Sequence, residues 1–184
     1  METTPLTLRF KLIGLGYQAR AGKDTVAGML AEHGYKRVSF GDQVRKVASV
    51  MCNEDAFGPR FKEEFTSFGL YGGELLQKIG EGMRQIVSPH VWVYMSGLHY
   101  RVSCGDLIVV SDVRYQAEAS YIKALGGLLV NVRRPGLRYD SHVSETEGAD
   151  IPWDYTIIND GTIADLAGKV AQLVAHPPQT VPGA

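Results

Sequence analysis

The stretch LRFKLIGLGYQARAGKDTVAGMLAEHG, residues 8–34, decides how this chain folds. Leu8 to Leu15 is rich in β-formers and breaks at Gly16 into a polar loop bounded by glycine. A helix is predicted from near Gly22, because Val26, Met29, Leu30 and His33 recur at helical spacing and Gly34 stands where a left-handed residue ends a helix. Strand, glycine loop and helix in that order are the setting a phosphate-binding loop requires. Its backbone N–H groups turn inward, a helix N-terminus aims at the anion and a lysine reaches the outer phosphates. Gly22, Lys23 and Thr25 supply these parts in order, with Gly16 and Ala21 contributing backbone. Two features depart from the general G-x-x-x-x-G-K-[ST] pattern: five residues separate Gly16 from Gly22 instead of four, and Asp24 occupies the place of the magnesium-ligating hydroxyl. Either Thr25 takes a phosphate or metal contact, or Asp24 holds the metal through water. The competing reading is an ordinary strand-to-helix turn.

Further along, YKRVSF (35–40) reads as a short strand and DQVRKVASVM (42–51) as a helix with Asp42 as its N-cap. Residues 52–70 read as an irregular, mobile surface segment. GELLQKIGEGMRQI (73–86) carries Leu75, Leu76, Ile79, Met83 and Ile86 on one helical face. Ser88-Pro89 then predicts an N-cap and first turn for a helix anchored by Trp92 and Met95, and Tyr94, like Trp92, reads as a core residue. DLIVVSD (106–112) and GLLVNVRR (127–134) are apolar runs of the kind buried on both faces of a parallel sheet, with a helix between them, and DYTIIN (154–159) repeats the pattern. Thr162 and Asp165 form a capping-box variant, ahead of a helix lined by Ile163, Leu166, Val170 and Leu173. Five strands alternating with helices, without internal repeat, predict a three-layer α/β fold with a mostly parallel five-stranded sheet and helices on both faces. Ligands of such folds bind beyond the carboxyl ends of the strands.

The chain is 184 residues and 20.1 kDa, the size of one ordinary domain. Nineteen Lys and Arg against 20 Asp and Glu leave a formal charge of -1, so no general pull toward nucleic acid or an anionic membrane is expected. Cys52 and Cys104 form no CxxC pair and read as reduced, buried thiols. No basic and apolar leader or long apolar run is evident, which predicts a cytoplasmic protein, and residues 177–184, with three of the eight prolines, predict a disordered tail. The unusual count is glycine: roughly 13 are expected at about 7% usage, and there are 21.

GKDT, VSFGD, LLQKIGEGMR, PHVWV, VSDVRYQAEA and VRRPG, taken together, resemble the bacteriophage deoxynucleoside monophosphate kinases, relatives of adenylate kinase. The likeness runs from Leu12 to about Gly161, and the GKDT tetrad looks like that family's own version of the loop. It implies a single P-loop kinase domain over residues 1–176, with a monophosphate-binding region near 39–100 and a short lid near 133–152. The implied reaction passes the γ-phosphoryl group of ATP, with Mg2+, to a deoxynucleoside monophosphate. A host cytoplasm follows if the chain is phage-encoded.

Such a reaction depends on positioned cations more than on an acid or base. Lys23, Arg114, Arg133 and Arg138 are the expected catalytic cations, with Arg134 joining Gly16 to Thr25 on ATP. Ser39, Asp42, Arg45, Gln77, Arg84, Asp112 and Arg114 are expected around the monophosphate, and Asp24, Thr25 and Asp112 at the metal. Each has a plainer alternative. Asp112 can cap the following helix, Gln77 and Arg84 can be solvated helix residues, Lys46 can face water, and Arg114 can pair with Glu118. The surfaces around Trp92 and after Cys52 can serve a second copy of the chain. Two other functions fit the same loop: a kinase of another small acceptor such as dephospho-coenzyme A, or a nucleotide-gated binding module without turnover.

Overall fold

The computed structural model describes residues 10–17, 19–137, 148–176 and 178. Arg138, half of the expected lid (138–147) and all of the expected tail except Pro178 lie outside them. The chain divides into two compact units, residues 1–37 with 99–184, and residues 38–98.

The first unit is built on a five-stranded sheet of β1 (Leu12–Gly16), β2 (Lys36–Val38), β3 (Ile108–Val113), β4 (Leu128–Arg133) and β5 (Tyr155–Ile158). Their order across the sheet is β2-β3-β1-β4-β5, and β1 runs parallel to both β3 and β4, as β5 does to β4. Val38, the last residue of β2, is where the second unit begins. Helices α1 (Lys23–Glu32), α6 (Gln116–Ala124) and α7 (Ile163–Ala175) complete this unit. Period-two alternation explains how both faces are covered. Ile13 and Leu15 share a buried cluster with Val26 and Leu30 of α1 and Leu166 and Val170 of α7. Gly14, between them, lies under Ile122 of α6. Each fully buried Leu or Val side chain stabilises this packing by about 1.5–3 kcal/mol. The phosphate-loop strand therefore sits in the middle of the sheet, where the chain's path reverses between β3 and β4, the position at which such sheets bind ligands.

Helix boundaries follow the caps. Gly34 has φ +90 and ends α1 as its place in the sequence predicts. Thr162 and Asp165 close the expected capping box on α7, but Ile163, the first residue of that helix, points outward and is exposed. The strand read at 106–112 is Ile108–Val113, with Asp106 outside it in an ion pair to Lys36. Asp112 lies within the strand, and the helix cap is Tyr115, so the capping alternative for Asp112 falls away. The Glu118 carboxylate, itself buried, accepts the backbone N–H groups of Arg114 and Tyr115.

The second unit contains α2 (Phe40–Cys52), a 3-10 turn (Phe61–Glu63), α3 (Gly72–Ile86) and α4 (Val91–Met95), and ends on Leu98, the first residue of α5 (Leu98–Ser103). Here the caps correct the sequence reading. Ser39 is extended and its hydroxyl accepts the backbone N–H of Asp42, so Ser39 is the N-cap and Asp42 lies in the first turn. The preceding strand accordingly stops at Val38. Ser88 accepts the backbone N–H of His90 and shapes a turn, so α4 starts two residues later than Ser88-Pro89 suggested. Trp92 is 1% exposed, whereas Met95 and Tyr94 are exposed, because a helix this short presents only one buried face. Ile86, at the end of α3, is also exposed, as is Cys104, against the expectation of two buried thiols. The segment read as irregular is anchored: Ala56, Phe61 and Thr66 are buried, and Phe65 bridges to Tyr71 with their rings edge to face.

Two of the surplus glycines in α3 behave oppositely. A Cβ on Gly72 would come within 2.0 Å of the Phe61 carbonyl oxygen, while one on Gly82 would meet nothing within 4 Å. Gly72→Ala is expected to cost about 2 kcal/mol or more by overpacking. Gly82→Ala should stabilise by about 0.5–1 kcal/mol through helix propensity. Urea titrations of the two variants measure both signs, and a loss of stability in Gly82→Ala would contradict the packing described.

Candidate active site

The loop from Gly16 to Thr25 is a strained turn held from several sides. Tyr17 has φ 76 and Arg20 φ 60, left-handed values that cost about 1–3 kcal/mol each in non-glycine residues and cluster at functional sites. Gly22 has φ 102 and is the N-cap of α1; it has no side chain with which to satisfy the first N–H groups of the helix, which leaves the helix terminus suited to an anion. The ammonium of Lys23 turns back across the loop and donates to the Tyr17 carbonyl at 3.1 Å. From the other side, the Asn159 carboxamide donates to the Ala21 carbonyl at 2.9 Å, and a Cβ on Gly22 would come within 2.7 Å of that same nitrogen. Asn159 is itself fixed by its neighbours. Lys169 donates to the Ile158 carbonyl and to Asp160, both at 2.6 Å. The hydrogen bond from Lys169 holds the Asp160 carboxyl below the usual carboxylate range.

Gly16 has a narrower part than a glycine of the general motif. A Cβ there would meet the Trp153 ring at 2.1 Å and the Val113 carbonyl at 2.4 Å, so the loop leaves β1 under a tryptophan. Trp153 in turn donates from its indole to the Gly148 carbonyl at 3.1 Å. The extra residue between Gly16 and Gly22 thus accompanies a first glycine whose place is set by packing.

The three expected metal-site residues are disposed differently. Asp112 is half-buried near the end of β3, one residue before Val113, the β1 partner of Gly16. Thr25 is exposed in the first turn of α1. Asp24 is paired with Arg37 of β2 at 2.9 Å, and Arg37 also donates to the Ser111 hydroxyl at 3.0 Å. Among the described residues no group of three or more His, Cys, Asp or Glu is placed to hold a metal ion. Of the expected catalytic arginines, Arg133 ends β4 and is exposed, as is Arg114, and Arg134, expected on ATP, is exposed too. The backbone carbonyl of Arg133 accepts from Asn159 N–H at 2.7 Å, so the fourth strand and the Asn159 loop leave the sheet together.

In the second unit the expected acceptor residues split between structural and open positions. Ser39 is buried as a cap, and Asp42 is half-buried beside it. Arg45 donates to the Ala56 carbonyl, which ties α2 to the segment that follows it. Gln77 is exposed two turns before Arg84 on the same face of α3. Arg84 is half-buried, and its guanidinium donates to the Gly80 carbonyl at 3.2 Å, the oxygen that also accepts the Trp92 indole at 3.0 Å. Gly80 is therefore buried where α3 meets both Trp92 and Val44, which accounts for one helical glycine that composition left unexplained.

The sequence reading missed Arg37, Asn159, Trp153 and Tyr17. Asn159 had a visible signal as the last residue of a buried strand running into Asp160-Gly161. Arg37 had none, since one arginine in a short exposed strand looks like any surface charge.

Comparison with known proteins places the chain. The sequence model for deoxynucleotide monophosphate kinase matches residues 74–170, just over half of it. A protein of Acanthamoeba polyphaga mimivirus, assigned by name to the deoxynucleotide monophosphate kinases, is 30% identical over 192 residues, which covers 91% of this chain and 98% of that one. The chain belongs to the deoxynucleotide monophosphate kinase family. The deoxynucleotide monophosphate kinase of Enterobacteria phage T4 is 31% identical over a shorter stretch, 43% of this chain and 34% of that protein. Among solved structures, dephospho-CoA kinase from Campylobacter jejuni superposes with a TM-score of 0.54 at 14% identity, over 90% of this chain and 97% of that one, which shows a shared fold. Like that structure, this family member is an α/β kinase built on a parallel sheet.

Because Gly16 is confined by backbone as well as by the Trp153 ring, Gly16→Ala should cost about 1–3 kcal/mol by overpacking. Chemical denaturation measures it, and unchanged stability would contradict the close approach of Trp153 and Val113.

Proposed function

We propose that this kinase transfers the γ-phosphoryl group of ATP to the phosphate of a deoxynucleoside monophosphate, giving ADP and a deoxynucleoside diphosphate. The observation that carries the donor half is the Lys23 ammonium folded over a strained loop at an uncapped helix terminus. Gly16, Ala21 and Gly22 offer backbone to the ATP phosphates, with Asp24, Thr25 and Arg134 beside them. Lys23 exchanges its bond to the Tyr17 carbonyl for the outer phosphate oxygens. An oxygen of the acceptor phosphate attacks the γ-phosphorus as the bond to the β-γ bridging oxygen breaks, and ADP leaves with that electron pair. Arg114, Arg133 and Arg138 offset the charge on the transferring group, so no side chain need accept a proton.

The second unit supplies the acceptor residues. Arg84 and Arg45 bind the monophosphate, Gln77 reads a base edge, and Ser39 and Asp42 shape the start of α2 beside them. Asp112 and Arg114, on and just after β3, are read as acceptor residues as well. The oxygens of Asp112 and Thr25 are hard donors of the kind that Mg2+ takes, while Asp24 is engaged by Arg37. When bound, the ion supplies charge neutralisation across the β- and γ-phosphates. No helix among the described residues is long and apolar enough to cross a membrane. Exposed Tyr94 and Met95 support a homodimer as a further reading, which sedimentation would test.

The test is ADP release with ATP and magnesium against dAMP, dGMP, dCMP and dTMP, their ribose counterparts and dephospho-coenzyme A. At least one deoxynucleotide should stimulate release, and Lys23→Ala should lower the stimulated rate by about a hundredfold or more. No response to any of the four deoxynucleotides, or a response to dephospho-coenzyme A alone, would overturn the proposal.

A further inference from the structure

This chain places a carboxylate, Asp24, where the general phosphate-loop motif has a hydroxyl, and that substitution poses an electrostatic problem. Asp24 follows Lys23 directly, in the first turn of α1. A bound triphosphate there would bring several negative charges close to a carboxylate, and like charges at such range oppose binding. The structure meets this with Arg37. Its Nη2 lies 2.9 Å from Oδ1 of Asp24, and its Nε donates to the Ser111 hydroxyl at 3.0 Å. Ser111 is 2% exposed and belongs to β3, immediately before Asp112. The guanidinium is thus held at one end by a buried hydroxyl and presents its other end to Asp24.

Stability does not account for this arrangement. The two charged side chains are 52% and 81% exposed, and ion pairs of that kind contribute little to folding. The fork geometry is also specific to arginine, because a lysine ammonium is a single point and cannot span the two oxygens in the same way.

We infer that Arg37 is a positioning residue for nucleotide binding: it neutralises Asp24 and holds the carboxylate in one place beside the phosphate loop, so that MgATP meets a neutral ion pair. The inference rests on residues 16–25 being the ATP loop and is independent of the acceptor. Removing Arg37 leaves Asp24 as an uncompensated charge, and replacing Asp24 by serine, the residue type of the general motif, removes the need for Arg37.

The test is a double-mutant cycle read by equilibrium binding of MgATP to the full chain, without acceptor, with thermal melting of every variant alongside. Arg37→Ala should weaken binding about tenfold or more, with its melting temperature close to that of the unsubstituted chain. Arg37→Lys, which keeps the charge and loses the fork, should fall between the two. Asp24→Ser alone measures what the carboxylate itself contributes, and adding Arg37→Ala to Asp24→Ser should weaken binding by no more than about twofold further, the coupling that a paired Arg37 and Asp24 requires. Unchanged affinity in Arg37→Ala would overturn the inference. So would an Arg37→Ala effect as large in the Asp24→Ser background as in the unsubstituted chain, which would mean that Arg37 acts on the nucleotide or the fold directly. If the unsubstituted chain bound no MgATP, the loop assignment itself would fail. If it bound MgATP and the cycle followed the expected pattern while no deoxynucleotide were phosphorylated, only the acceptor assignment would fail.

Discussion

The first strand can end where it does only because Gly16 carries no side chain. The Val113 carbonyl and the Trp153 ring occupy the space a Cβ would need, and together they direct the chain out of the sheet at the point where its path reverses between β3 and β4. The rest of the site follows from that exit. Tyr17 and Arg20 take left-handed conformations to turn the loop, Gly22 takes another to start α1, and Lys23 arrives within reach of the Tyr17 carbonyl. Backbone strain of this kind persists only where surrounding structure over-determines it. Asn159 on the Ala21 carbonyl and Lys169 on the Asn159 loop provide that support from β5 and α7.

This dependence also explains which parts of the molecule were legible in the sequence. The continuous apolar runs at β3 and β4 and the Thr162 and Asp165 capping box reported their structure faithfully, because burial on both faces and local capping leave little choice of residue. The phosphate loop was legible for the same reason, since glycine, lysine and helix onset lie within a few residues of one another. Boundaries set by one hydroxyl were less so. Both Ser39 and Asp42 are good caps, and only the extended backbone of Ser39, with its oxygen on the Asp42 N–H, decides between them. Exposure at helix ends was misread at Ile86, Met95 and Ile163, where periodicity continues in sequence after the packing partner has ended.

The site residues that escaped the sequence are those whose role depends on distant chain. Arg37 acquires its part only when β2 and β3 bring Ser111 and Asp24 to the two ends of its guanidinium. Asn159 is 138 residues away from the carbonyl it holds. Arg45, expected on a phosphate, is shared with the Ala56 carbonyl, and Arg84 with that of Gly80. A guanidinium has five donors, so a bond to one backbone carbonyl does not by itself exclude an anion.

The proposed function turns on direct phosphoryl transfer from ATP to a deoxynucleoside monophosphate on this one chain. Incubation with ATP labelled at its γ-phosphate, followed by chromatographic separation of the nucleotides, tests it most directly. The account predicts label in the β-phosphate of a deoxynucleoside diphosphate, formed in step with ADP. Label appearing only in inorganic phosphate, whichever deoxynucleotide is supplied, would contradict it.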